Sequence, residues 1–186
     1  MQLIESINQN FSEYVPKALN IYRYPDKILF TKSELLTLSI PDDTDLQELL
    51  EDMVYTLRIN RLIGLSAVQV GVPVQAFVVQ DENQEPIKIV NPIIKEIDGQ
   101  SYSIEGCASF PGVFTRILRA EEVVLSYFNE KGEAKTSVFT GLLARAVDHE
   151  CEHLEGKTFL DKMNSVQRQS VLKKIRTINR KIAHLK

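Results

Sequence analysis

Between Val74 and Thr140 the chain strings together six short runs of β-forming residues, and this succession constrains the fold more than any other feature. The runs are VQAFVVQ (74–80), IKIVNP (87–92), IIKEI (93–97), VFTRILR (113–119), EEVVLSYF (121–128) and AKTSVFT (134–140). Pro86, Pro92 and the turn-forming Asp98-Gly99-Gln100 divide the first three, and NEKGEA makes a turn before the last. Ahead of them lies PDDTDLQELLEDMVYTLRINRLIG (41–64), with capping candidates at its start, a glycine at its end and apolar residues at Leu46, Leu49, Leu50, Met53, Val54 and Leu57. That is helical periodicity with start and stop signals. Behind them, LLARAVDHECEHLEG (142–156) has helix-forming composition. A last helix over 165–183 has Val166, Ser170, Val171, Ile175, Ile178 and Ile182 along one side. Strands are not alternating with helices, which argues against a doubly wound parallel sheet. The predicted class is α+β, with antiparallel or mixed β-sheets packed around a central helix and a C-terminal helix beyond.

A chain of 186 residues reads as one domain, 1–186, long enough to bury a core without disulfides or metal staples. Its two cysteines make no disulfide framework, which points to a reducing, cytoplasmic compartment. The N-terminus resembles neither a signal nor a transit peptide, and no apolar run reaches the ~18–20 residues of a membrane span. The net charge of −3 is unevenly placed. From Ser165 onward there are seven basic and no acidic residues, leaving 15 basic against 25 acidic before it.

The stretch HECEH (149–153) holds two of the three histidines, four residues apart. On a helix they point within about 40° of each other and ~6 Å apart in height, so both imidazoles can reach one ion. Glu150 lies about 100° round, beside that ion, where a carboxylate can take a proton from water. The competing reading is a helix with two surface histidines and a chance glutamate. Cys151 lies about 200° from both histidines and cannot join them without unwinding the helix; it reads as a packing residue.

A third ligand is not evident downstream. The extended peptidase pattern ending in a further histidine meets Phe159 instead, the terminal helix has no acid, and His184 stands near the chain end. Upstream, Cys107 in SIEGCASFPG sits at an apparent strand end among small residues, as a free ligand or a buried structural thiol.

Three segments together resemble the peptide deformylase family. LIGLSAVQVG (62–71) is similar to its G-x-G-x-A-A-x-Q motif, EGCAS (105–109) to E-G-C-L-S, and HECEHLEG (149–156) to H-E-x-D-H-L-x-G. YPDKIL (24–29) also matches the family's Pro-Asp segment, and the resemblance covers 22–183. It implies Cys107, His149 and His153 as ligands of one divalent ion, natively Fe2+, with Zn2+, Ni2+ or Co2+ as substitutes. It implies Glu150 as general base and then acid, and the Gln69 amide with the backbone N–H of Ala108 as donors to the developing oxyanion. The implied substrate is an N-formyl-methionyl peptide, met by Ile63, Gly64, Leu142 and Glu105 and paired as an added strand along GLSAV. The methionine side chain would enter an apolar pocket near Leu142, His149 and Ile63.

By the same resemblance Glu105 pairs with Arg119 behind the cysteine loop. Leu62, Ser66, Asp148 and Glu152 depart from the family's residues, and the N-terminal extension (1–21) has no assigned role. The basic terminal helix (165–186) implies salt-sensitive ribosome contact through Lys173, Lys174, Arg176, Arg180 and Lys181, with neither membrane nor specific DNA binding. Two other functions compete: a catalytically impaired binder of formylated peptides, and an H-E-x-x-H peptidase.

Overall fold

A computed structural model describes residues 14–37, 40–80 and 85–183, without the side chains of 41, 179 and 181–183. Helix α1 spans Thr44–Ile59 and is capped by Asp43, whose carboxylate accepts from Leu46 N at 3.0 Å. Leu46, Leu50, Met53, Val54 and Leu57 face the core from it, as the periodicity predicts. The helix ends before Gly64: Asn60 caps it and Arg61 turns the chain with φ +53°.

Five strands follow, β1 (Gly64–Ser66), β2 (Ala76–Val79), β3 (Ile87–Gly106), β4 (Phe114–Phe128) and β5 (Ala134–Thr140). They form one antiparallel sheet in sequential order, so β1 and β5 are its edges. The α+β class stands, and the sheet is antiparallel rather than mixed; an isolated parallel bridge joins Glu34 to Val74. Six sequence runs become four strands here, because β3 continues through Pro92 and Gly99, and β4 joins two runs. The register between β3 and β4 shifts between Val90 and Ile93, so Pro92 costs no ladder bond. Asn91 beside it adopts φ +48°, and its side chain exchanges two hydrogen bonds with the Leu36 backbone at 2.8 and 3.0 Å. Gly99 takes φ +60° between Asp98, opposite Glu122, and Gln100, opposite Ala120. The turn signal is thus absorbed as a kink held on both sides by pairing.

Helix α2 (Gly141–Leu154) lies on one face of the sheet and α1 on the other. Strand β2 is buried on both faces: Ala76 and Val78 join the α1 cluster, while Phe77 and Val79 join the α2 cluster. Its unbroken apolar run follows from that sandwich. Cys151 packs against the α2 cluster, away from the histidines, as helix geometry predicts.

Helix α3 (Ser165–Ala183) closes a third cluster. Ile175, with Val171, Leu172 and Ile178, packs against Phe110, Val113 and Phe159. Val166 is 76 % exposed and Ser170 also faces solvent, so the apolar side is narrower than the sequence predicts, with Leu172 in their place. Ile182 and the first 13 residues of the N-terminal extension lie outside what is described. The rest of the extension is tied down on α1: the buried carboxylate of Asp52 accepts from Tyr14 Oη (2.9 Å) and Lys17 N (2.7 Å), and Thr56 Oγ1 accepts from Leu19 N (2.8 Å). No helix of the described residues is long and apolar enough to cross a membrane.

Candidate metal centre

Strand β3 ends at Gly106, delivering Cys107 to the face of α2 that bears His149 and His153. The Sγ of Cys107 lies 3.3 Å from His153 Nε2, which lies 3.2 Å from His149 Nε2. All three ligand atoms fall within 4.8 Å of one another. Tetrahedral ligands at ~2.0–2.3 Å from an ion stand roughly 3.3–3.7 Å apart, so the donor set and its spacing fit a divalent ion.

The histidines are oriented from behind. Glu105 Oε1 lies 3.2 Å from His149 Nδ1, and Arg119 Nη2 lies 3.0 Å from the same nitrogen. An imidazole that offers Nε2 to an ion keeps its proton on Nδ1, so the bond goes to the carboxylate. Arg119 is buried, and its side chain is clamped by three acids. Glu105 takes Nε and Nη2 in a bidentate pair at 2.7 and 2.8 Å, while Glu152 (2.7 Å) and Asp148 (3.3 Å) share Nη1. Lys162 then bridges Asp148 and Glu152 at 3.1 and 3.0 Å. Burial pushes the Glu105 carboxyl up, but hydrogen bonds from Arg119 and His149 more than offset it and hold it at about 2.

Glu150 is 3 % exposed, and burial pushes its carboxyl up to about 7 against the pull of His149 and Ser66. Its Oε2 is buried with no hydrogen-bond partner among the described residues. The other oxygen presses on Gly64, where an added Cβ would stand 2.5 Å from Oε1, so only glycine fits there.

Gln69 lies in a short 3-10 turn, Ala67–Val70, just after β1. Its Oε1 accepts from Ser66 N (2.9 Å) and Ser66 Oγ (3.0 Å). That pinning aims Nε2 at Ser109 Oγ (3.1 Å) and Cys107 Sγ (3.4 Å), beside the ligand cluster.

A cleft of about 600 Å³ opens onto this centre, and Ile63, Gly64, Leu142 and Glu105 all line it. Both Glu105 oxygens are already engaged by Arg119 and His149. Ala108 also lines the cleft, next to Cys107. Leu62 leans on the α1 cluster while bordering the cleft. Sequence reasoning missed the parts played by Ser66, Ser109, Asp148, Glu152 and Lys162. A serine three residues before Gln69 was the one available signal, being the spacing of a capping box.

A model of the polypeptide deformylase family matches residues 18–169. The chain is 38 % identical to a peptide deformylase of Thermodesulfovibrio yellowstonii over 163 residues, 86 % of this chain and 97 % of that one. It is 36 % identical to a peptide deformylase of Nitrosococcus oceani over 84 % of this chain and 93 % of the relative. Among solved structures, a Legionella pneumophila peptide deformylase superposes with a TM-score of 0.83 at 32 % identity, covering 89 % of this chain and 98 % of the other. One from Ehrlichia chaffeensis, in complex with actinonin, gives 0.80 at 32 % identity over 88 % and 99 %. With a family model spanning most of its length and relatives above 30 % identity nearly end to end, this chain belongs to the polypeptide deformylase family.

Proposed function

We propose that Cys107, His149 and His153 hold one ion for the reaction of this enzyme, which removes the N-formyl group from formyl-methionyl peptides and releases formate. The observation that carries the reading is the convergence of one thiol and two imidazoles within 4.8 Å, with Cys107 and His149 lining the cleft. Bound there, a divalent ion supplies Lewis acidity toward the formyl carbonyl and makes water acidic enough to react near neutral pH. The thiolate in the set favours Fe2+ as the native ion, with Zn2+, Ni2+ or Co2+ as replacements.

The protein's own groups do the rest. Glu150 Oε2, buried and without a partner among the described residues, accepts the proton from attacking water and returns it to the departing amine. Gln69 Nε2 and the backbone N–H of Ala108 donate to the formyl oxygen as it gains charge. Ser66 holds the Gln69 amide in the orientation that keeps Nε2 beside the ligand cluster, where it donates to Ser109 Oγ and Cys107 Sγ. Strand β1 is a sheet edge bordering the cleft, which supports pairing of the substrate backbone alongside Gly64–Ser66. Ile63 and Leu142 offer apolar surface to the methionine side chain.

The impaired-binder alternative has no support from a site that retains Glu150, and the peptidase alternative lacks its further ligand. Formate release from formyl-Met-Ala-Ser by anaerobically prepared protein is the test. Glu150→Gln should keep its metal and lose about a hundredfold or more in kcat. Equal turnover by that variant would refute the assignment of the base. Exposure of Lys173, Lys174, Arg176 and Arg180 on α3 supports reading that helix as the ribosome-facing element; the Lys181 side chain lies outside what is described. A thiolate ligand at Cys107 suits a reducing, cytoplasmic setting.

A further inference from the structure

The cleft carries a charge pattern that hydrolysis itself does not use. Three arginines line it, with Arg23 and Arg61 exposed and Arg145 half-buried on α2. None of them makes an ion pair among the described residues, and Arg145 Nε is buried with no hydrogen-bond partner there. Glu105 and Glu150 are the acids that line the cleft. The first is bound to Arg119 and His149, and the second is buried under Gly64. The uncompensated charge facing an entering chain is therefore positive, although the protein's net charge is −3. Interspersed with it are exposed apolar side chains, Ile104, Phe114 and Leu142.

Position matters as much as sign. Leu142, Arg145 and His149 share one face of α2, at spacings of three and four residues. Arg145 thus stands on the same stripe as the imidazole at the centre, one turn back along α2 and between His149 and Leu142. An extended peptide advances ~3.3 Å per residue, so the two or three residues after the methionine lie within about 10 Å of the reacting carbonyl. That is close to the screening length of physiological salt, ~8 Å, so charges on them are felt.

We propose that this cleft selects formyl-methionyl chains that carry acidic residues directly after the methionine, with Arg61 and Arg145 as specificity-determining residues and Arg23 reinforcing the field. The inference rests on the deformylase reading above. Each partly exposed charge pair contributes roughly a two- to fivefold factor, so two or three together give about tenfold.

The test compares kcat/KM for three C-terminally amidated peptides, formyl-Met-Asp-Asp, formyl-Met-Ala-Ala and formyl-Met-Lys-Lys, at low and high salt. Amidation leaves the side chains as the only difference in charge. The native protein should favour the aspartate peptide over the alanine peptide by about tenfold at low ionic strength, falling toward parity at high salt. In Arg61→Glu combined with Arg145→Leu the preference should vanish or invert. Each value is a ratio within one preparation, so partial metal loading or folding cancels. Equal rates, a lysine preference in the native protein, or a ratio unmoved by both substitutions would overturn the inference. Absence of formate from all three peptides would overturn the deformylase reading and the inference with it.

Discussion

At the scale of single residues the candidate centre depends on groups that hold its other side chains in place. Glu105 gains stability in the folded protein from Arg119 and His149, which hold its carboxyl at about 2 against an ordinary 4.5. A depressed carboxyl stabilises fully above its unfolded value, and that contribution drains away as pH falls from about 4.5 to about 2. Thermal unfolding of native protein should therefore decline more steeply over that window than unfolding of Glu105→Gln, and parallel profiles would contradict the brace. Gly64→Ala is a second sharp case. Its methyl would meet Glu150 Oε1 at 2.5 Å, so the base must move. About a hundredfold loss in kcat with normal metal content is expected, and unchanged kcat would show that Glu150 has room to spare. Two of the proposed ligands are legible in helical spacing, which pairs His149 with His153 and sets Cys151 apart, whereas Cys107 is legible only through the family resemblance. The brace was only half legible. Arg119, Asp148, Glu152 and Lys162 come from a strand, a helix and a later turn, and no local spacing encodes their meeting.

At the scale of elements, the packing of α3 has to be separated from the ribosome docking proposed for it. Its apolar side reaches the cysteine loop, where Ile178 Cδ1 would stand 3.3 Å from a Cβ added at Gly112. Truncation before Ile175 would remove both Ile175 and Ile178 from that cluster and confuse folding with docking. Charge reversal of Lys173, Lys174 and Arg176 avoids this, because all three are exposed. The reversed protein should lose salt-sensitive co-sedimentation with ribosomes while its unfolding free energy shifts by no more than about 0.5 kcal/mol. Ile175→Ala should do the opposite, costing about 2–5 kcal/mol of stability with ribosome binding retained. Undiminished co-sedimentation of the reversed protein would reject α3 as the docking element. Element order was legible because hydrophobic period distinguishes strand from helix. The continuity of β3 was not, because a partner strand decides whether Pro92 and Gly99 end a strand or bend it.

At the scale of the whole molecule, the reacting centre is where three separately stabilised pieces meet. Strand β1 with Gln69 is backed by α1, the cysteine loop by α3, and the histidines by the cluster that α2 forms with the sheet. Each piece can hold its own ligand or donor rigidly, which a hydrolytic site needs for its donors to be in place before charge develops. The long separation of Cys107 from His149 follows from that design, since only tertiary packing brings them together. The direct test of the account is metal content measured with formate release, on anaerobically prepared native, Cys107→Ala and Cys151→Ala proteins. The native and Cys151→Ala proteins should each carry about one divalent ion per chain and deformylate formyl-Met-Ala-Ser, while Cys107→Ala loses both. Retention of metal and turnover by Cys107→Ala, or their loss in Cys151→Ala alone, would contradict it.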